Sequence, residues 1–284
     1  MQFPPENKLM LLAFLTLLLA GSAHSEFYLK SLSVFMNVNQ DGSMNVEERL
    51  AIMMNGSSSE LYEETRAAYS DLASWKGRTE LSEMRHHISR ASAEIVNLRV
   101  IPQAIERCNS YMQLCHATVV LDYTVLADSK NGSGVFRVDH YKPRTAKYSL
   151  QQSALSFEQT KTGDLILPPN TNISIAIPVA ADKIYFSAIP ANLAGDESSF
   201  RYDQSANVRY YTGNARIFNW QGDTLSKFQF TYEIEFPLET EVMEFFHDSQ
   251  SSIILLFLGP EGIAALMLIV AGAATVYYFN RLNK

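Results

Sequence analysis

Three groups of residues have types and spacings that approach chemistry. Asn37, Asn39, Asp41, Gly42 and Glu48 fall at positions 1, 3, 5, 6 and 12 of the EF-hand calcium pattern, which gathers oxygen ligands around a tight glycine turn. Position 1 is Asn, which brings no charge, and the flanking residues alternate with period two where an EF-hand has helices. The expectation is therefore a hairpin and no calcium. Glu83, His86 and His87 form the second group, with Glu83 and His86 spaced to share a helix face. A third and fourth metal ligand are missing, so the expectation is a solvated polar face. The third group is Cys108 and Cys115, the only cysteines of the chain. A metal pair or a redox dithiol wants closer spacing and further ligands, and the adjacent His116 does not complete a site. A disulfide across a hairpin is the expectation. No catalytic or cofactor-binding residue emerges, and neither a cofactor nor a metal is expected.

The elements that would position these groups begin with a hairpin. Leu32, Val34, Met36 and Val38 alternate with less apolar neighbours, and after the Asp41-Gly42 turn the alternation resumes at Met44, Val46, Glu48, Leu50 and Ile52. Helical spacing follows. Ser59 can cap a helix with Leu61, Thr65, Ala68, Tyr69 and Leu72 inward, ending at Trp75-Lys76-Gly77. Thr79 can cap a second with Leu81, Met84, Ile88, Ala91 and Ile95 inward. Strand patterns return at 96–101, at 117–125 with Val119, Leu121, Tyr123 and Val125 inward, and at Phe136 and Val138. Helices inserted between strands predict an α+β domain over 26–142.

Beyond the Tyr141-Lys142-Pro143-Arg144 lapse, short apolar runs at 165–167, 173–177 and 184–189 are punctuated by prolines, as in an antiparallel sandwich over 143–240. Val208–Tyr211, a Thr212-Gly213-Asn214 turn and Ala215 to Asn219 read as a second hairpin. Phe228, Phe230, Tyr232, Ile234 and Phe236 alternate with polar residues and predict an aromatic core strand. Tyr210, Tyr211 and Trp220 fit that core, or a carbohydrate platform as the sharper alternative.

The two ends predict the topology. Lys8 precedes a twelve-residue apolar run, Leu9 to Ala20, followed by small residues at Ala23 and Ser25: a cleaved signal peptide over 1–25, with an uncleaved anchor as the alternative. Near the other end, after Gly259 and Pro260, about eighteen residues pass without a formal charge from Gly262 to Phe279, and roughly 27 Å of helix spans the hydrocarbon. Glu261 belongs to the first turn of that helix, at headgroup level. Arg281 and Lys284 place the tail, 280–284, in the cytoplasm, leaving a juxtamembrane segment at 241–259 and one transmembrane helix at 260–279. Ala264, Ala265, Ala271, Gly272 and Thr275 share one side of the span, which would admit a second membrane helix.

The formal net charge is −7 with 19% charged residues and no basic run, which excludes nucleic acid as the partner. Asn55, Asn131 and Asn172 each open an N-glycosylation tripeptide within the exported part.

The segment Asp41-Gly42-Ser43-Met44-Asn45-Val46-Glu47-Glu48, a D-G-S-x-x-V-x-E hairpin, resembles the opening of exported ectodomains in archaeal-type predicted membrane proteins. Leu167-Pro168-Pro169 and Trp220-Gln221-Gly222 are similar to their second β domain. The resemblance implies an envelope location and a β-rich fold, and no activity. The sequence thus predicts a non-enzymatic, single-pass type I membrane protein of the plasma or another cellular membrane. Its extracytoplasmic module would bind an unidentified protein or glycan. An accessory subunit of a membrane complex and a membrane-anchored hydrolase working through paired carboxylates are the alternatives.

Overall fold

A computed structural model describes residues 26–109, 111, 113–127, 134–142, 144–204 and 207–237. The expected signal peptide, juxtamembrane segment, membrane helix and tail lie outside the described residues, as do Asn131 and Glu261. Among the described residues no helix is long and apolar enough to cross a membrane.

Among the described residues the fold is mostly β-sheet with two α-helices, consistent with the α+β and sandwich patterns. Strands β1 (Phe27–Val38) and β2 (Met44–Asn55) form the expected hairpin, in register from Val38↔Met44 to Phe27↔Met54 with a bulge between Leu29 and Ser31. Gly42 sits at φ +85° in the turn, a conformation that favours glycine. β5 (Leu114–Val125) pairs along the whole of β2, and β3 (Ile95–Pro102) and β4 (Arg107–Asn109) both pair with β5. The inward residues are those of the alternation: Leu32, Val34 and Met36, then Val46 and Leu50, then Val119, Leu121 and Tyr123, all buried. Glu48 holds a place in this apolar row, between Val34 and Leu121.

The helical expectations are corrected. Helix α1 (Gly56–Ala68) starts before Ser59, because Asn55 accepts the Ser58 amide at 2.8 Å and caps it. Its inward face is Ser58, Tyr62 and Thr65, while Ala68 is exposed. Helix α2 (Leu72–Thr79), capped by Asp71, ends where the second helix was expected to begin. Trp75, read as a terminator, is instead its buried centre and meets Tyr62 edge-on at 5.3 Å. Glu80 then adopts a left-handed conformation, φ +56°. Residues 81–94 run without helix despite their helical spacing, since their backbone and side chains bond outward, Ser89 N–H to Ala154 O and Ser156 N–H to His87 O.

The boundary expected at 142/143 does not divide the sheets. It falls between β6 (Phe136–Lys142) and β7 (Thr145–Leu150). β10 (Thr171–Ala176) pairs in parallel with β1 from Leu32↔Thr171 to Asn37↔Ala176, and β14 (Ile217–Gln221) pairs with β10. The seven-stranded sheet, ordered β14-β10-β1-β2-β5-β3 with β4 beside β5, is therefore mixed and draws on both sides of that boundary. The second sheet is β12-β13-β11-β16-β7-β6, with β11 (Ala181–Phe186), β12 (Phe200–Asp203), β13 (Val208–Tyr211) and β16 (Phe230–Glu235). A small sheet joins β8 (Glu158–Gln159), β9 (Leu165–Ile166) and β15 (Thr224–Leu225).

The second expected hairpin is also corrected: β13 and β14 belong to different sheets. The link between them turns at Gly213, where a Cβ would lie 2.3 Å from the Tyr211 hydroxyl oxygen. The aromatic strand does build a core. Phe230 meets Phe218 at 5.7 Å, Trp220 at 5.6 Å and Phe186 at 6.0 Å, and all but Phe186 are fully buried.

The described residues divide into two compact units, the larger within Met1–Asp139 and Lys147–Glu233, the smaller within His140–Ala146 and Ile234–Lys284. In the smaller, Phe236 N–H donates to Arg144 O at 2.7 Å and Arg144 pairs with Glu235 at 3.3 Å. The features below belong to the larger unit.

Candidate functional site

The site is built on Glu48, which the pleat of β2 turns into the core. An ionised carboxylate there must be satisfied by hydrogen bonds. Oε1 accepts the His87 backbone N–H at 2.7 Å and the Tyr123 hydroxyl, and Oε2 faces His87 Nδ1 at 2.6 Å. The other ring nitrogen, Nε2, faces Glu83 Oε2 at 3.0 Å. With a carboxylate at each nitrogen, both donate, and the ring is an imidazolium. Its face stacks on Phe157 at 5.0 Å.

The electrostatics follow from this arrangement. Burial alone would push the His87 imidazole down. The charge of Glu48, its hydrogen bond and the contact with Glu83 outweigh that and raise it to about 9. The hydrogen bond from His87 brings Glu83 down to about 2, against the opposing effect of burial and with further help from the charges of His87 and Arg85. Burial, reinforced by Glu48, pushes the Tyr123 phenol far up, so it stays a donor. Arg85 closes the chain at 3.4 Å from Glu83, and its Nε is buried without a hydrogen-bond partner among the described residues.

Glu83 and Arg85 open onto a groove of about 360 Å³. One wall is the start of β1, Phe27 to Leu29. Facing residues are Leu81 and Ser82, Phe157 and Glu158, and the corner Ile166 to Pro169. Tyr28 is 50% and Ile166 38% exposed there, which leaves apolar surface for a ligand. With Glu48 and His87 neutralising each other and Arg85 paired to Glu83, the groove keeps the acid of Glu158.

Glu83 and His87 do come together, at a spacing of four, but His87 is wholly buried, which corrects the solvated polar face; His86 is half-buried and its Nδ1 contacts Ile88 O at 2.7 Å. Asn37 pairs with Asn45, Asp41 accepts from Ser43, and Glu48 points into the core, so the EF-hand positions are not gathered. Among the described residues no group of three or more His, Cys, Asp or Glu could hold a metal ion. Cys108 and Cys115 are bridged across the β4–β5 pair. Asn55 is the cap of α1, and Asn172 lies within β10 with its Nδ2 on Ser174 Oγ at 3.3 Å and its Oδ1 buried. Tyr211 and Trp220 are core residues, and the half-buried Tyr210 faces Tyr185 instead, so the three do not form one platform. Sequence reasoning missed the Glu48–His87 pair. The available signal was an acid in a row of inward apolar residues.

No family model matches the chain, and no curated protein matches it in sequence. Among solved structures, the folded domain of the LppM protein of Mycobacterium tuberculosis is similar over 74% of this chain and 92% of that one, at 7% identity and a TM-score of 0.25.

Proposed function

We propose that this chain is a type I, single-pass envelope protein whose extracytoplasmic β-rich module binds a partner in the groove beside Tyr28, Glu83 and Ile166. The anchoring part rests on the charge and hydropathy pattern of the two ends, and the bridged Cys108–Cys115 pair suits an oxidising compartment. The observation that carries the binding part is the state of the ionisable groups. General acid–base work by this pair would need a carboxyl titrating near the working pH or a histidine nitrogen left free. Glu83 is held at about 2 and His87 gives both nitrogens to carboxylates, so these groups form a fixed wall beside exposed apolar surface. This favours binding over the hydrolase alternative.

The test is photo-cross-linking of the full chain in its native membrane, with a benzophenone amino acid at Ile166 or, as the control, at Val179, which is 83% exposed and does not line the groove. An adduct of defined mass from Ile166 alone is the expected result. Equal or absent adducts at the two positions contradict the reading.

A further inference from the structure

The groove has a backbone edge as well as side chains. β10 pairs with β1 from Leu32 onward, and the chain before Thr171 leaves the sheet through Pro168, Pro169 and Asn170. Among the described residues no strand is registered on that side of β1 before Leu32, so Phe27 to Leu29 form an edge that lines the groove. Resting on the binding reading above, we propose that this edge takes an extended polypeptide segment carrying a basic side chain, which adds to β1 as a short strand.

Four observations select this occupant. An unpaired edge offers backbone donors and acceptors at strand spacing, and three residues of it span about 10 Å. Tyr28 and Ile166 offer apolar contact to alternate side chains of the incoming segment. The groove beside the edge holds about 360 Å³, room for a side chain of the incoming segment. The charge left over is acidic: Glu158 lines the groove and the charge of Glu26 bears on the Tyr28 hydroxyl, while Arg85 is committed to Glu83. Lys30 lies beyond the edge, where Asn170 Nδ2 already donates to the Lys30 carbonyl at 3.0 Å. That bond and the bulge between Leu29 and Ser31 end the edge, which limits the added strand to a few residues and keeps the sheet from templating indefinite pairing.

The experiment measures fluorescence anisotropy of labelled five-residue peptides with the full chain in detergent. The probes are alternating valine and lysine, the same peptide with N-methylated valines, and alternating valine and glutamate. The lysine peptide is expected to bind with a Kd below about 1 mM, and the other two at least about tenfold more weakly. Glu158→Lys, a surface change, should weaken the lysine peptide by a similar factor, and Glu158→Gln by less. Equal binding of the N-methylated peptide would overturn strand addition, and equal binding of the glutamate peptide would overturn the basic preference. Absence of binding by all three, with the Ile166 cross-link present, would sink this inference alone; absence of the cross-link too would sink both.

Discussion

A carboxylate on the inward face of a strand costs several kcal/mol unless its hydrogen bonds are complete, and Glu48 is tolerated because His87 and Tyr123 supply them. Removing one member should therefore cost more than a typical core change. Glu48→Gln or His87→Ala is expected to lower stability by about 3–5 kcal/mol in urea titrations of the protein in detergent, whereas replacing both by apolar residues of similar volume should cost less than the sum. The same cluster sets a pH window. A raised histidine contributes stability that is complete below its ordinary value of 6.5 and is lost as pH rises through about 9. A depressed carboxyl contributes stability that is complete above 4.5 and is lost as pH falls through about 2. Stability should thus be greatest between these windows and fall by on the order of 3 kcal/mol towards high pH, a slope that His87→Phe should flatten. None of this was legible locally, because Glu48 and His87 are 39 residues apart and each alone reads as an ordinary polar residue.

At the scale of elements, period-two alternation made the strands readable: β1, β2, β5 and β16 appear where it placed them. Helical spacing was less dependable. Leu81, Met84 and Ile88 recur at helical intervals, yet two of them are buried by a non-helical chain whose polar groups are drawn to Glu48 and to the segment around Ala154. Pairing partners were not readable, since β1 finds β10 across more than half of the described chain and β13 parts from β14 at a turn that resembles a hairpin. Gly213→Ala should cost about 1–3 kcal/mol, because its Cβ collides with the Tyr211 ring. The hairpin at Asn37 to Glu48 should leave the melting temperature unchanged between chelator and millimolar calcium, where a submillimolar site would raise it. A calcium-dependent rise abolished by Asp41→Asn would reverse that conclusion.

At the scale of the whole molecule, the β-rich module is proposed to be carried on an anchor read from the sequence of the two ends. Its bridge, Cys108–Cys115, closes a short loop, so Cys108→Ser should reduce stability by about 1–3 kcal/mol without abolishing the fold, and unreduced mass spectra should show the two peptides joined. The central claim is that the groove is presented outside a membrane in which the carboxyl end is anchored. Protease protection tests it most directly. With a tag after Lys284, protease added to intact cells should digest the module and leave a short tagged, membrane-embedded fragment. A tag lost from intact cells, or a module protected until the membrane is opened, would contradict the account.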